Sequence, residues 1–85
     1  MKKILFFSAP WCGSCKILKP RINALEQEGL IEVEHLNSDN NPDLAIKYSI
    51  KNIPTLILLE NEEEVGRLSG AKSKEQILEF YNKQL

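Results

Sequence analysis

The chemistry of this chain starts with its two cysteines, which lie in the stretch PWCGSCK at residues 10–16. Cys12 and Cys15 are separated by two residues, a spacing compatible with a structural disulfide, half of a metal site or a reactive dithiol. A bridge across two residues closes a very short loop and removes little entropy from the unfolded chain, so a structural role is disfavoured. A closed zinc site needs four ligands, whereas the chain offers two cysteines and one histidine. The spacing therefore favours a reactive dithiol.

The elements around the motif place the two cysteines where a strand ends and a helix begins. The apolar run KKILFFS at residues 2–8 predicts a strand buried on both faces, which is typical of a central position in a sheet. Residues 13–28 predict a helix that Gly29 ends and that Pro20 kinks. Its apolar side chains recur at helical spacing and are expected to face the sheet: Ile17, Leu18, Ile22 and Leu25. Reaction sites of open α/β sheets lie at such strand ends.

This position predicts different roles for the two thiols. If Cys12 caps the first turn of the helix, its sulfur faces unpaired backbone N–H groups and the positive end of the helix dipole. Both favour the thiolate: in such positions cysteine pKa values fall to about 3.5–7.5, from about 8.5 for a free thiol. Cys12 is therefore the predicted nucleophile. Cys15, one turn further along the same face and expected to be more buried, can then attack a mixed disulfide formed on Cys12.

The middle of the chain predicts one strand and one short helix. Residues 30–38, LIEVEHLNS, alternate apolar and acidic side chains, which is typical of a strand with one polar flank at a sheet edge. Asn41 followed by Pro42 predicts the N-cap and first position of a helix that runs through Tyr48. The chain thus alternates strand and helix up to this point.

The last third of the chain predicts a hairpin and a final helix. Residues 53–60 form a strongly apolar strand, and residues 64–69 pair with it across an acidic turn around Asn61. Ser73 and Gln76 form a capping-box pattern at the start of a helix. That helix is expected to bury Ile77, Leu78, Phe80 and Tyr81. The predicted order is therefore βαβαββα.

Length and charge limit the possible functions. The chain has 85 residues, 42% of them hydrophobic, which is enough for one domain spanning residues 1–85 and too few for two. Eleven basic residues against twelve acidic ones give a net charge of −1, which disfavours a nucleic acid or membrane partner. The apolar run at residues 4–7 is shorter than the roughly 7–15 residues of a signal-peptide core. We therefore expect a soluble, cytoplasmic protein.

The residues around the cysteines resemble the thioredoxin family. FFSAPWCGSCK is similar to that family's segment Trp-Cys-Gly-Pro-Cys-Lys, and the stretch LNSDNNPDLAIKYSIKNIPTLILL resembles the family's stretch ending in Ile-Pro-Thr-Leu. SGAKSKEQILEF is similar to the segment after the family's hairpin. The resemblance covers nearly the whole chain but lacks the family's first strand and helix. It implies a minimal thioredoxin fold, an α/β fold with a four-stranded mixed sheet flanked by three helices, and leaves residues 31–38 at the sheet edge.

The resemblance also implies an activity and a set of site residues. It implies a thiol–disulfide oxidoreductase that reduces partner proteins through Cys12 and Cys15, with Pro54 as a cis-proline facing the dithiol. The implied substrate-binding residues are Trp11, Gly13, Ser14, Ile53, Pro54, Gly70 and Ala71. No bound cofactor or metal is implied. The implied partners are disulfide-containing proteins and, as electron source, an NADPH-linked thioredoxin reductase, and the protein is expected to be a monomer.

Several positions depart from the family pattern. Ser14 stands in place of a proline between the cysteines, and Ser8 in place of a tryptophan. Phe6 stands where the family has a buried aspartate that helps the second cysteine lose its proton, and His35 stands where the family has the lysine paired with it. We expect His35 to be a solvated surface residue, with water or the departing substrate thiolate accepting the Cys15 proton.

Two alternatives remain open at this stage. A glutaredoxin-like protein would draw electrons from glutathione, but that family typically has Cys-Pro-Tyr-Cys and paired glycines after the hairpin, where this chain has SGAK. A binding module of the same fold would use the dithiol to hold a metal ion across a dimer, or for no chemistry at all. Disulfide reduction with different electron donors distinguishes the three.

Overall fold

A computed structural model describes residues 1–83 of the chain. Across these residues the elements follow the predicted order βαβαββα. They are β1 (Lys2–Ser8), α1 (Gly13–Gln27), β2 (Val33–Asn37), α2 (Pro42–Lys47), β3 (Thr55–Glu60), β4 (Glu63–Ser69) and α3 (Lys74–Lys83). No helix in this part of the chain has the length and apolar character needed to cross a membrane.

The strands of residues 1–83 form one four-stranded mixed sheet in the order β2-β1-β3-β4. β1 pairs in parallel with β2 and antiparallel with β3, and β3 pairs antiparallel with β4. The predictions of a central β1 and an edge β2 are both confirmed. Because β1 and β3 are antiparallel, the end of β1 lies beside the start of β3, where Phe7 is opposite Thr55. This register brings the chain after β1, which carries the cysteines, next to the chain before β3.

The core consists of one apolar layer on each face of the sheet. Successive residues of a strand point to opposite faces, so Ile4 and Phe6 pack under α1 and α3, whereas Leu5 and Phe7 pack under α2. All four of these β1 residues are at most 5% exposed. This explains why the sequence of β1 is a continuous apolar run.

Helix α1 presents a narrow apolar stripe to the sheet. Its buried residues are Cys15, Leu18, Ile22 and Leu25. Ile17 was predicted to be buried, but it is 54% exposed because it lies one residue, or about 100°, away from that stripe. Gly29 ends the helix as predicted, with φ at +72°, a left-handed conformation that favours glycine.

β2 and α2 are shorter than predicted. β2 starts at Val33 because its pairing with β1 starts there, opposite Ile4. Asn41 does occupy the N-cap position of α2, but its side chain donates to the carbonyl of Asn37 over 2.9 Å and makes no capping bond. Tyr48 is the C-cap rather than the last helical residue.

The hairpin and α3 agree closely with the sequence. Asn61 and Glu62 form the turn with φ at 54° and 70°, and β4 begins one residue earlier than predicted. Ser73 and Gln76 make both bonds of the predicted capping box. Of the four residues expected to be buried by α3, two are buried, Ile77 and Phe80, and two are partly buried, Leu78 and Tyr81.

Candidate active site

The turn between β1 and α1 positions Cys12 as the N-cap of the helix. The backbone N–H of Cys12 donates to the carbonyl of Ala9 over 3.1 Å, which closes the turn. Cys12 has extended backbone angles, and its Sγ accepts a 3.1 Å hydrogen bond from the backbone N–H of Cys15. The predicted cap is thus confirmed. A sulfur at this position receives an otherwise unpaired N–H donor and the positive end of a 15-residue helix, and both favour a thiolate after reduction.

The two cysteines form a disulfide in this structure. Their Cα atoms are 5.2 Å apart, within the usual range for such a bond. Cys15 is the more buried residue, as predicted, although the difference is small: 4% exposed against 7% for Cys12. Both pack with Ala9 and against Ile53, so the dithiol has an apolar floor between β1 and the chain before β3. The spacing and the fold therefore permit reversible oxidation of this pair.

The chain before β3 lies beside the disulfide. The Ile53–Pro54 peptide bond is cis, as the resemblance implied, and Pro54 is fully buried. The carbonyl oxygen of Ile53 lies 3.8 Å from Sγ of Cys12. The backbone N–H of Gly70 donates to the carbonyl of Pro54 over 3.1 Å. In the structure, Ile53 thus lies next to Cys12, and Gly70 lies next to Pro54.

Arg21 fixes the loop that follows β4, and sequence analysis missed it. Its Nη1 donates to the carbonyl oxygens of Ala71, over 3.4 Å, and Lys72, over 3.0 Å. The two contacts connect α1 to residues 50 and 51 positions later in the chain. An isolated arginine on a helix carries no sequence signal for such a contact. Gly70 and Ala71 are therefore held in relation to the helix that carries the dithiol.

Trp11 is on the surface beside the disulfide. Its side chain is 69% exposed, and its Nε1 donates to Oδ2 of Asp39 over 2.9 Å. Asp39 belongs to the loop after β2 and was also missed by sequence analysis. Gly13 and Ser14, between the cysteines, are exposed. The indole is thus accessible to a partner while one end of it is held.

Phe6 and His35 occupy neighbouring strands on the α1 side of the sheet. Phe6 is fully buried in the core with Leu18, and its ring meets the ring of His35 edge-on, with centroids 5.6 Å apart. Nε2 of His35 lies 2.6 Å from Oε1 of Glu26 on α1. His35 is exposed, as predicted, and its ring is also paired with the carboxylate of Glu26, a contact that the sequence did not predict.

His35 also borders an open cleft of about 490 Å³ behind the disulfide. We call it the Cys15 cleft; its lining includes Ser8, Cys15, Lys16, Lys19, His35 and Asn37. Among the described residues, no group of three or more His, Cys, Asp or Glu side chains is arranged to hold a metal ion. The groups that border the cleft include the sulfur of Cys15, the imidazole of His35 and the ammonium groups of Lys16 and Lys19.

Comparisons with known proteins agree with this geometry. The family model described as Thioredoxin matches residues 1–83. The chain is 47% identical over 78 residues to a thioredoxin of Buchnera aphidicola, covering 89% of this chain and 72% of that protein. It is 39% identical over 79 residues to a thioredoxin of Porphyra purpurea, covering 91% and 74%. The X-ray structure of Fasciola hepatica thioredoxin superposes with a TM-score of 0.90 at 30% identity, covering 99% of this chain and 81% of that one.

The chain therefore belongs to the thioredoxin family. The predicted fold is confirmed, and so is the predicted activity: the protein is a thiol–disulfide oxidoreductase that acts on partner proteins through a Cys-X-X-Cys pair. Disulfide-containing proteins and a reductase are its general classes of partner.

Proposed function

We propose that this thioredoxin-family chain reduces protein disulfides with Cys12 as the attacking thiol and Cys15 as the resolving thiol. The Cys12 thiolate forms a bond to one sulfur of the substrate disulfide, and the other substrate sulfur leaves as a thiolate. Cys15 then loses its proton and attacks Cys12 Sγ, which releases the second substrate thiolate. The substrate gains two electrons, and the Cys12–Cys15 pair loses two. The hydrogen bond from the Cys15 N–H to Cys12 Sγ is the observation that carries this assignment.

The substrate-binding surface that we propose surrounds Cys12. It comprises Trp11, Gly13, Ser14, Ile53, Pro54, Gly70 and Ala71. The 3.8 Å separation between Ile53 O and Cys12 Sγ supports a partner segment that lies extended along Ile53 while its disulfide meets the thiolate. The 69% exposure of Trp11 supports an aromatic contact beside the reacting sulfur. Gly70 and Ala71 complete the surface because the backbone N–H of Gly70 is hydrogen-bonded to the carbonyl of Pro54.

The electron source that we propose is an NADPH-linked thioredoxin reductase. Residues 1–85 act as one monomeric domain, supported by a core that is shared across both faces of one sheet. The cytoplasmic location stays a prediction from the sequence.

Insulin-disulfide reduction tests this proposal with three electron sources: dithiothreitol, a thioredoxin reductase with NADPH, and glutathione. We expect turnover with the first two and little with glutathione. Turnover with glutathione alone would instead favour a glutaredoxin-like protein. Absence of turnover with every source would contradict the proposed reaction and favour a binding module of the same fold.

A further inference from the structure

The Cys15 cleft raises a question of proton transfer, because resolution requires a Cys15 thiolate. A thiol in apolar surroundings resists ionisation, and Cys15 is 4% exposed in a cluster with Ala9 and Cys12. Strand β1 provides no proton acceptor at position 6, since Phe6 is an apolar core residue. The acceptor must therefore be water, the departing substrate or a group that borders the cleft.

Two observations distinguish His35 from an ordinary surface histidine. It borders the same cleft as Cys15, and it is paired with Glu26 over 2.6 Å. An ionised carboxylate only accepts hydrogen bonds, so Nε2 of a neutral His35 carries the proton that it donates to Glu26. In that tautomer the other ring nitrogen, Nδ1, carries no proton and can accept one. A carboxylate that accepts from one ring nitrogen orients the imidazole and fixes its tautomer.

We propose that His35, positioned by Glu26, accepts the proton of Cys15 through water in the Cys15 cleft. The proton passes from Cys15 Sγ to a water molecule, and a proton of that water passes to His35 Nδ1. The Cys15 thiolate forms the bond to Cys12 Sγ while the bond between Cys12 and the substrate sulfur breaks. The imidazolium, stabilised by Glu26, then releases its proton to solvent through the open cleft. This step rests on the proposed roles of the two cysteines.

The charged groups around His35 act in opposite directions. Glu26 on α1 contacts the ring directly, whereas Lys16 and Lys19 of the same helix border the cleft with positive charges. On its own strand, the neighbouring Glu34 is paired with Lys3 of β1. Glu26 is the carboxylate in direct contact with the imidazole, so we expect its removal to affect the reaction more than the loss of the Glu28 carboxylate at the C-cap of α1.

Stopped-flow Trp11 fluorescence tests this proposal with the reduced full chain and an excess of a disulfide-bonded peptide, over about pH 5.5–8.5. The attack phase scales with peptide concentration, and the resolution phase does not. His35→Ala and His35→Gln should slow resolution by at least about tenfold near neutral pH, less than the ~10²–10⁴ of a directly placed base because water intervenes. Attack should be unchanged. Both variants should also change the pH dependence of the resolution rate, because the imidazole no longer takes part in the proton transfer.

Added imidazole gives a readout that a purely structural role would not move. The cleft is open, so free imidazole should restore resolution in His35→Ala in proportion to its concentration. Glu26→Gln should slow resolution several-fold. The matched control Glu28→Gln, at the C-cap of the same helix and paired with Lys74 instead, should have no effect.

A resolution rate within twofold of wild type in both His35 variants would overturn the proposal. So would a slower resolution phase that free imidazole does not restore and whose pH dependence equals that of the wild-type protein. If the wild-type protein showed no phase whose rate scales with peptide concentration, the proposed roles of the two cysteines would be overturned as well.

Discussion

The backbone N–H of Cys15 donates a 3.1 Å hydrogen bond to Sγ of Cys12. The residue proposed to resolve the mixed disulfide therefore also stabilises the sulfur that forms it. Because the donor is a backbone group at the start of a 15-residue helix, the contact is retained when the Cys15 side chain is replaced. Substitution of Cys15 should thus remove resolution and leave attack intact, and this separation makes the two steps independently testable.

The hydrogen bond from Trp11 to Asp39 should limit the motion of the indole. Asp39→Ala removes the acceptor, so the fluorescence anisotropy of Trp11 should decay faster, and the KM for a protein disulfide should rise a few-fold. Asp39→Asn keeps an acceptor oxygen without the charge, so its anisotropy decay and its KM should lie between those of the wild type and Asp39→Ala. Time-resolved anisotropy measures the effect. An Asp39→Ala variant with wild-type anisotropy would show that the bond does not hold the ring.

Arg21 should act as a positioning residue for the loop at Gly70 and Ala71. In Arg21→Gln the side chain is too short to reach the carbonyl oxygens of both Ala71 and Lys72. The KM for insulin should therefore rise several-fold, while kcat stays close to that of the wild type. The reaction with a small disulfide, which does not need this loop, should be unchanged. Steady-state assays with both substrates check the prediction.

The exposed Lys51→Gln is the matched control for the loss of one positive charge. If it raised the KM for insulin as much as Arg21→Gln, net charge rather than loop position would be the cause.

Elements that depend on local sequence could be predicted here, because their determinants are neighbours in the chain. The helix cap at Cys12 and the capping box of Ser73 and Gln76 are contacts between residues three positions apart. The burial of Ile17 was predicted wrongly because periodicity alone does not decide which of two adjacent apolar residues faces the sheet. The cis peptide at Pro54 was implied by the family resemblance, and residue patterns alone favoured an ordinary strand-start proline.

Site contacts between distant polar side chains could not be predicted. Asp39 meets Trp11 across 28 positions, and Glu26 meets His35 across nine. Each is an exposed or half-exposed residue of a common type, and its partner is fixed only once the strands have paired. The parallel register of β1 and β2 places His35 beside Phe6 on the α1 face, and no single segment carries that information.

The buried face of α3 should contribute strongly to the stability of the fold. Ile77 is fully buried among residues of the sheet and α1, so Ile77→Ala should lower the free energy of unfolding by about 2–5 kcal/mol. Val65→Ala, at a side chain 37% exposed, should change it by less than about 1 kcal/mol. Urea unfolding of the oxidised proteins gives both values. Equal effects would contradict the assignment of the core.

The ion pair that joins β1 to the edge strand should give a pH-dependent contribution to stability. The hydrogen bond and charge of Glu34 raise the pKa of Lys3 above its ordinary 10.5. A raised pKa stabilises the fold below the ordinary value, and this contribution is lost as the pH rises through the raised one. Lys3→Gln should therefore lower the Tm slightly at pH 8, and this difference should disappear at a pH above the raised pKa, where wild-type Lys3 is neutral.

Thermal melts of both proteins at the two pH values measure this difference. The effect is small because the two side chains are 39% and 48% exposed. A difference in Tm of the same size at both pH values would show that the charge of Lys3 is not its source.

The trapping of a mixed disulfide tests the proposed roles of the two cysteines most directly. Reduced Cys12→Ser and Cys15→Ser variants are mixed with a disulfide-bonded protein, and intact mass spectrometry measures the covalent adduct over time. The proposed mechanism predicts that Cys15→Ser attacks and then accumulates as a stable adduct through Cys12, whereas Cys12→Ser forms almost none. Adduct accumulation on Cys15 in the Cys12→Ser variant, at a rate equal to or above that of Cys15→Ser, would contradict it.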